Sequence, residues 1–400
     1  MRYITHGLSF NKTTLQECLM KRISWMGLVI FAGLLCSGVA VSAEDEEITE
    51  LQHECTSWIV LSDLTKNNTN ILHKNRDALS KKSCVIFSPK NSRRKWIAIG
   101  DGGQTAMGMT STGLAGAMNS GELCINAPTD NKKKPPLKFF RAILDSCDTA
   151  AQAVEKCKEL LAAGDYWYKD KGSIFFFLDA KEGYICEFTA KNFTVQHITS
   201  GFSVRANIWM NPGMQTYSRS TVSNYLDSAA RMYRAYSGLN ALLDEKGKIE
   251  LLDIFELSRS HKMPKGSSQG RSLCFGATNS AVSMEVDREY PDVLSTIYAA
   301  IGHPRHTVYI PLPVCTEQVL PEMLNGKWDA ASWKRLKELK LSAPIPEEWT
   351  KFEADSLATY KKAQADARAL LKQGKRTKAI KLLNDTAAAI WNDGKVLLGL

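Results

Sequence analysis

The cysteine at position 55 has surroundings that favour a chemical role. It follows the acidic run at 44–47 and opens the β-prone segment 55–64. If the peptide bond before Cys55 is cut, one residue carries both a thiol and a free α-amine. The amine has a pKa of about 8 and the thiol a pKa of about 8.5, so the amine can activate its own thiol. Cys55 is therefore a candidate nucleophile, but taken alone this residue favours a disulfide partner or a buried strand cysteine.

A polar run, Lys-Asn-Arg-Asp at 74–77, closes the strand that the sequence predicts at 71–75. If that strand lies beside the one beginning at Cys55, two cations and a carboxylate come close to the thiol. A carboxylate can hold an α-amine, and a nearby cation lowers the pKa of a thiol. Taken alone, the run favours an exposed polar turn.

A second type of cysteine enzyme could use the same residue. Cys-Thr-Ser-Trp at 55–58 faintly resembles the papain signature, and His197 lies at a suitable distance downstream. However, the glycine and the second cysteine of that signature are absent. The segment after Cys55 is also strand-like, whereas a papain cysteine opens a helix. This interpretation is the weaker one.

The N-terminus has the pattern of a secretory signal peptide. Lys21 and Arg22 precede an apolar run at 23–41, and small residues close it before Ala43. We expect residues 1–43 to be the signal, with Met20 as a second candidate start, and residues 44–54 to be a pro-segment. The protein would then be secreted or periplasmic. The alternative is an uncleaved anchor helix, since the run is long enough for about one bilayer span.

Composition narrows the class of protein. The 400 residues are 44% hydrophobic and 23% charged, with a net charge of +9, which excludes a disordered, collagenous or multi-span membrane protein. No basic block with interleaved aromatic residues indicates nucleic-acid binding. Eight cysteines follow the signal, without zinc-ligand spacing and with no deducible disulfide pairing. No metal or organic cofactor is implied.

Hydrophobic periodicity predicts an α+β protein with mostly antiparallel sheets covered by helices. Strands are predicted over 55–64, 71–75, 83–88, 95–99, 173–178, 184–189, 194–198, 281–286, 295–300 and 308–311, and around a tight turn within 107–119. Helices are predicted over 137–144, 149–163, 220–243, 249–260, 352–372 and 377–391. The expected division is a catalytic domain at 55–320 and a C-terminal helical extension at 321–400.

Several segments, in this order, resemble the cysteine N-terminal nucleophile hydrolases. They are the run at 74–77, Gly-Met-Thr-Ser-Thr-Gly-Leu-Ala-Gly-Ala-Met-Asn at 108–119, the strand at 203–207, the Ser-x-x-Arg helix at 228–234, and the strand pair 278–283 and 297–304. The similar branch contains choloylglycine hydrolases, penicillin V acylases, acid ceramidase-like amidases and isopenicillin-N acyltransferase-like enzymes. The last of these is the preferred branch. The resemblance covers roughly 55–315 and implies a four-layer αββα sandwich.

The resemblance also implies roles for individual residues. Cys55 would attack an amide carbonyl while its α-amine accepts and later returns the proton. Asp77 matches the carboxylate that binds this amine, and Lys74 matches the basic residue beside the thiolate. Asn207 matches an oxyanion-hole donor, which contributes about 3–4 kcal/mol in the transition state. Arg231 matches the helix arginine, although Arg219 and Arg234 compete for that role.

Three residues are predicted to contact substrate: Lys74, Asn119 and Arg205. Asn119 matches a second motif asparagine, whereas Arg205 is a strand-end cation, and such residues more often lie on the surface. The sequence departs from the family pattern, because Thr110 replaces a motif asparagine and Lys74 replaces the more usual arginine. The segment between Cys55 and Asp77 is also longer than in bile-salt enzymes. Because of these departures, the substrate of the bile-salt enzymes is a weak guide to the substrate of this protein.

The sequence therefore predicts an exported, self-processed enzyme that cleaves a linear, non-peptide C–N amide through a thioester. Water or an amine would take the acyl group, so hydrolysis and acyl transfer both stay open. The expected partner is a small-molecule amide; association with an anionic envelope and homo-oligomerisation are left open. The alternative is a non-enzymatic exported binding protein with a basic, helical C-terminal face.

Overall fold

Two antiparallel sheets lie face to face and position the site. The structure is a computed structural model that describes residues 55–78, 82–101, 104–125, 134–261 and 272–400. The predicted signal peptide and pro-segment lie outside the described residues. Within these ranges the strands are β1 Cys55–Val60, β2 Asn70–Asp77, β3 Cys84–Phe87, β4 Trp96–Asp101, β5 Gln104–Thr110, β6 Ala115–Leu123, β7 Lys171–Leu178, β8 Gly183–Phe188, β9 Phe193–Ile198, β10 Phe202–Arg205, β11 Thr278–Val286, β12 Thr296–Ile301 and β13 Tyr309–Pro313.

One sheet has six strands in the order β10-β1-β2-β11-β12-β13, and the other has seven in the order β3 to β9. Every ladder in both sheets is antiparallel. Strand β7 shows how the sequence separates the two faces of a sheet. Phe175 and Phe177 join one apolar cluster, whereas Ile174 and Phe176 join the other, because successive side chains of a strand point to opposite faces.

Helices cover the outer face of each sheet. Within the described ranges they are α1 Pro136–Leu144, α2 Ala150–Ala162, α3 Val222–Lys246, α4 Leu251–Ser258, α5 Pro291–Leu294, α6 Pro321–Leu324, α7 Lys327–Leu339, α8 Glu347–Lys372 and α9 Arg376–Leu397. Helices α1 and α2 pack on the seven-stranded sheet, and α3, α4, α8 and α9 pack on the six-stranded sheet. The predicted α+β class and four-layer αββα order are confirmed.

Local sequence signals set the two ends of helix α3, which reaches the site. Thr221 precedes α3 and its side chain accepts a hydrogen bond from the backbone N–H of Asn224, which satisfies a free donor of the first turn. The helix ends at Gly247, whose φ of 72° is readily adopted by glycine. These two residues set the start and end of the helix that carries Arg231.

The C-terminal helices belong to the same core as the sheets. Trp349, Tyr360 and Trp391 are buried within the large apolar cluster. The indole nitrogen of Trp391 donates to the carbonyl of Pro311 in β13 at 2.6 Å. The predicted helical extension is thus an outer layer on the six-stranded sheet. No helix in the described part of the chain combines the length and apolarity needed to cross a membrane.

Candidate active site

Cys55 is the first residue of β1, between β10 and β2 in the middle of the site. It is buried, and its partner across β2 is Arg76, while Ser57 pairs with Lys74. Ser57 donates across the gap between the sheets to Asn119 of β6, at 2.8 Å, so this face of β1 points inward. Because alternate residues share a face, the thiol and both cations lie on the inner face of the sheet.

Asn207, just beyond β10, joins Cys55 to helix α3. The backbone nitrogen of Cys55 donates to Asn207 Oδ1 at 2.8 Å. The buried Arg231 donates to the same oxygen from Nη2, also at 2.8 Å. Asn207 Nδ2 in turn donates to the carbonyl of Ser120 at 2.8 Å. These bonds orient the side-chain amide, with its oxygen towards Cys55.

Lys74 lies on the inner face beside the thiol. Its ammonium donates to the carbonyl of Met118 and to Asn119 Oδ1, each at 2.8 Å. Burial lowers the pKa of Lys74, and the charge of the Cys55 sulfur opposes that shift. Asn119 Nδ2 continues the network to the carbonyl of Ala206 at 2.9 Å. Lys74 and Asn119 thus connect the surroundings of Cys55 to the backbone beside Asn207.

Asp77 belongs to the other face of β2, because it follows the inward-facing Arg76. Its Oδ1 accepts a hydrogen bond from the hydroxyl of Thr278 at 2.6 Å. In this uncut chain the nitrogen of Cys55 is an amide with one hydrogen, and that hydrogen goes to Asn207. The contact that the sequence predicts between Asp77 and an α-amine requires the extra hydrogens that cleavage would provide.

Arg205 has a different environment from the one expected of a residue that binds substrate. Its N–H groups donate to Glu187, Ser203, the carbonyl of Val204, Gln196 and Asn211. These five bonds use all the donors of a guanidinium, so none is left for a substrate. Arg205 also lines a surface cleft of about 880 Å³ whose lining residues do not include Cys55, Lys74 or Asn207.

Glu187 was not singled out from the sequence. Besides Arg205, it accepts hydrogen bonds from the backbone nitrogens of Met210 and Asn211, at 2.8–3.0 Å. It therefore fixes the segment in which Asn207 lies. No local motif marks Glu187, because its partners come from a distant part of the chain.

Ser120 and Tyr168 are further site residues that the sequence analysis missed. The Tyr168 hydroxyl lies 2.6 Å from Ser120 Oγ. Burial raises the pKa of Tyr168 to about 12, and the nearby Cys55 sulfur adds to this shift. Tyr168 therefore keeps its proton at neutral pH. Ser120 directly follows the Asn119 motif, but nothing local marks Tyr168.

Another cysteine and histidine pair, Cys274 and His303, lies near Asp77 and does not form an activated thiol. Cys274 Sγ is 3.9 Å from His303 Nε2. Burial raises the pKa of Cys274 to about 12 and lowers that of His303 to about 3. Both groups are therefore neutral near pH 7. The eight cysteines of the described residues all carry free thiols.

The sequence of the chain matches a known family. Residues 64–281, more than half of the 400, match the family of acyl-coenzyme A:6-aminopenicillanic acid acyl-transferase. Comparison with curated proteins gave no match. The family match disfavours the non-enzymatic alternative.

Solved structures show more distant likenesses. A variant of conjugated bile acid hydrolase from Clostridium perfringens is 14% identical with a TM-score of 0.47, covering 66% of this chain and 94% of that one. Penicillin V acylase from Agrobacterium tumefaciens is 15% identical, with a TM-score of 0.40 and coverage of 64% and 86%. The Caenorhabditis elegans ortholog of N-acylethanolamine-hydrolyzing acid amidase is 15% identical, with a TM-score of 0.40 and coverage of 60% and 94%.

The family assignment rests on the sequence match and not on these distant likenesses. It confirms the predicted family and the predicted class of enzyme. The chain therefore belongs to the acyl-coenzyme A:6-aminopenicillanic acid acyl-transferase family, and it is an enzyme.

Proposed function

We propose that this protein is exported, cuts its own chain before Cys55, and then transfers the acyl group of a linear amide to water or an amine. The observation that carries the proposal is the position of Cys55. It begins a strand, its nitrogen is bonded to Asn207 Oδ1, and Lys74 lies beside it on the inner face. The Cys55 thiol and the Cys55 nitrogen, which would become the base after cleavage, are thus held beside Asn207 and Lys74.

The cut would use the Cys55 thiol itself. The sulfur attacks the carbonyl carbon of residue 54 and a carbon–sulfur bond forms. The bond from that carbon to the Cys55 nitrogen then breaks, and the thiol proton passes to this nitrogen, which becomes an amine. Water then hydrolyses the resulting thioester. The products are a carboxylic acid at residue 54 and a Cys55 with a free thiol and a free amine. The new amine has a pKa of about 8, which suits a base acting near neutral pH.

The same groups would then act on a substrate amide. The α-amine takes the thiol proton, the sulfur attacks the carbonyl carbon, and the amine returns the proton to the leaving nitrogen. Asn207 Nδ2 has two hydrogens, of which one is bonded to Ser120. The other can donate to the oxyanion. Water or an amine finally attacks the thioester carbon and the carbon–sulfur bond breaks. The proton of the attacking group passes through the α-amine to the sulfur, and the acyl group leaves as an acid or an amide.

Asp77 would bind the α-amine of Cys55, and Lys74 would stabilise its thiolate. A free α-amine has hydrogens beyond the one that Asn207 accepts, and Asp77 at the end of the neighbouring strand can accept another. Lys74 would stabilise the thiolate through its charge, since burial strengthens charge interactions. Arg231 would act indirectly, by holding the Asn207 oxygen that orients the amine.

Export is supported by the signal pattern at 1–43. Of the eight described cysteines, six are buried, which protects their thiols from an oxidising compartment. The free thiols are therefore compatible with export.

The test is to replace Cys55 and follow both processing and activity. The Cys55→Ala protein is expected to retain the residues before position 55 and to release no amine from N-acyl amides. Cys315→Ala is the matched control, because Cys315 is a partly buried thiol in the loop after β13. A Cys55→Ala protein that still begins at position 55 and still turns over amides would rule the proposal out.

A further inference from the structure

Strand β6 carries a bulge directly after Asn119, at the point where it meets the Asn207 segment. The pairing of β6 with β7 shifts between Ser120 and Leu123, so that β6 has one extra residue there. A bulge interrupts the regular ladder and re-aims the groups next to it. The Ser120 carbonyl accepts a hydrogen bond from Asn207 Nδ2 at 2.8 Å. The orientation of the proposed oxyanion donor thus depends on how this bulge is held.

The bulge packs closely against β7 and binds the segment after β10 at a second point. A Cβ added to Gly121 would lie 2.7 Å from the carbonyl carbon of Gly172, so this approach requires glycine. The buried Glu122 accepts a hydrogen bond from the backbone nitrogen of Trp209 at 3.2 Å. Together, the two hydrogen bonds make the bulge the support of the segment that contains the oxyanion donor.

Tyr168 holds the bulge from the opposite side of the sheet. Asn119 faces the gap between the sheets, where Ser57 donates to it, so Ser120 faces outward, because successive side chains alternate. Tyr168 packs on that outer side against the apolar cluster that contains Phe175. Its hydroxyl lies 2.6 Å from Ser120 Oγ, which is the one hydrogen bond of the Ser120 side chain within the described residues. Tyr168 is therefore placed to fix Ser120 without touching a substrate in the gap.

The backbone around Tyr168 is itself fixed. The Lys171 nitrogen donates to the Tyr168 carbonyl at 2.7 Å, which closes a tight turn. Inside this turn Lys169 has a φ of 33°, a conformation that residues other than glycine adopt only where their surroundings impose it. The Asp170 carbonyl accepts a hydrogen bond from the backbone nitrogen of Cys124, just beyond β6, at 2.9 Å. The turn is thus tied to the end of the strand whose bulge it supports.

We propose that Tyr168 is a positioning residue for the reaction: it fixes Ser120 in the β6 bulge, and the Ser120 carbonyl in turn aims Asn207 Nδ2 at the oxyanion. This inference rests on the proposed function, because it takes Asn207 as the oxyanion donor. Such a donor stabilises the developing charge best when it is oriented before the reaction. A loosened bulge would therefore weaken transition-state stabilisation and leave the binding of the substrate itself unchanged.

Removing the Tyr168 hydroxyl tests this role, and the same loop supplies a matched control. Tyr168→Phe should lower kcat by about threefold to tenfold, the effect of one neutral hydrogen bond, and leave KM unchanged. Tyr166→Phe removes a second tyrosine hydroxyl of this loop, which lies 2.8 Å from Ser173 Oγ in β7, and should leave both constants unchanged. The rates are measured on acetyl, hexanoyl and dodecanoyl anilides, and the wild-type chain identifies the best substrate of the three.

Two double variants connect the effect to its partners. In a Ser120→Ala background, Tyr168→Phe has no bond left to remove and should change kcat no further. In an Asn207→Ala background the oxyanion donor is absent, so Tyr168→Phe should again have no effect. Residues that act through each other give such non-additive losses, whereas the losses of independent residues add. All rates refer to chains that begin at Cys55, and an unchanged melting temperature for Tyr168→Phe would show that its fold is intact.

Three results would overturn the role of Tyr168 while Cys55 stays the nucleophile. The first is an unchanged kcat in Tyr168→Phe, or a loss that lies in KM instead of kcat. The second is an equal loss in Tyr166→Phe. The third is a loss from Tyr168→Phe that is the same with and without the Asn207 side chain. If Asn207→Ala does not process itself, additive losses of Tyr168→Phe and Ser120→Ala would be the contradicting result instead.

A failure of the proposed function itself would look different. If the wild-type chain cleaves none of the three anilides, the inference fails, and an N-terminus other than Cys55 would show that the proposed function fails with it.

Discussion

Asn207 is the residue at which the polar contacts of the site converge. Its oxygen receives hydrogen bonds from Cys55 and Arg231, and its nitrogen donates to Ser120. These partners come from three different elements, so the orientation of the amide is set before any substrate arrives. A donor that is already oriented stabilises an oxyanion without further reorganisation.

Replacing Asn207 should therefore affect the transition state more than substrate binding. We expect Asn207→Ala to lower kcat by about a hundredfold to a thousandfold, the effect of losing one oxyanion donor, with little change in KM. Steady-state kinetics on processed protein measure this. Asn240→Ala is the control, because Asn240 bonds only to its own helix, at the carbonyl of Tyr236. A loss of the same size in both variants would contradict this role for Asn207.

Asp329 makes stability depend on pH. Burial raises its pKa from 3.8 to about 7. Between these values the unfolded chain ionises Asp329 while the folded chain keeps the proton, so stability falls as pH rises. Asp329→Asn removes this titration and should gain stability relative to wild type as pH increases through that range.

Urea unfolding at a series of pH values tests the prediction for Asp329. Asp355→Asn is the control, because the Asp355 side chain is 66% exposed. Its difference from wild type should stay flat over the same range. A difference between Asp329→Asn and wild type that also stays flat would contradict the shifted pKa.

At the scale of elements, strand β2 divides the site between two faces. Lys74 and Arg76 point into the gap between the sheets, and Asp77 belongs to the opposite face with Thr278. The continuous run 74–77 thus places two cations on the same face of the sheet as the Cys55 thiol and a carboxylate on the opposite face. This follows from the alternation of side chains along a strand.

The tight turn at Gly113 joins β5 to β6, the strand that carries Asn119. Gly113 has a φ of 86°, and a Cβ there would lie 2.6 Å from Pro291 Cβ. Gly113→Ala should therefore cause both backbone strain and a clash with Pro291. Gly164 has a similar φ of 68°, but a Cβ added to it would have no atom within 4 Å. Gly164→Ala should therefore cost only the backbone strain of about 1–2 kcal/mol.

Chemical unfolding of the two alanine variants measures the difference. A larger loss of unfolding free energy for Gly113→Ala supports the close packing of this turn against Pro291. Equal losses would show that packing contributes nothing and would contradict the described contact.

At the scale of the whole molecule, the C-terminal helices complete the sandwich. Glu353 of α8 binds both Nη atoms of Arg259, and its Oε1 also accepts from the backbone nitrogen of Tyr309 in β13 at 2.6 Å. Both charged side chains are almost fully buried. Helix α8 therefore carries a group that the sheet and α4 need, although the sequence alone suggests an added segment.

Removing this buried charge tests that dependence. Glu353→Gln leaves Arg259 without its counter-charge and should cost about 3–5 kcal/mol of unfolding free energy. The control lies on the same helix: Lys351 and Asp355 form an ion pair with both side chains exposed. Lys351→Gln should cost at most about 1 kcal/mol. Comparable losses in both variants, measured by urea unfolding, would contradict a structural role for α8.

The sequence predicts the elements well because their signals are local. Alternation and helical spacing identify the strands and helices, and Gly113 marks the turn between β5 and β6. The family resemblance also identifies Cys55, Lys74, Asn119 and Asn207 as site residues, and these four residues lie close together in the structure. Their catalytic roles stay predictions.

The rest of the site depends on pairings that no local pattern contains. Glu187 meets Arg205 and the segment around Asn207 only when the two sheets stack. Tyr168 reaches Ser120 from a loop without a motif. The register of β1 against β2, which puts Arg76 opposite Cys55, is likewise a property of the folded sheet.

The most direct test of the central claim is the N-terminal sequence and intact mass of the mature protein purified from its own host. We predict a chain that begins at Cys55, with its thiol and α-amine on one residue. An active protein that begins at Glu44 or earlier would contradict the claim, because its nucleophile could not use its own amine as the base.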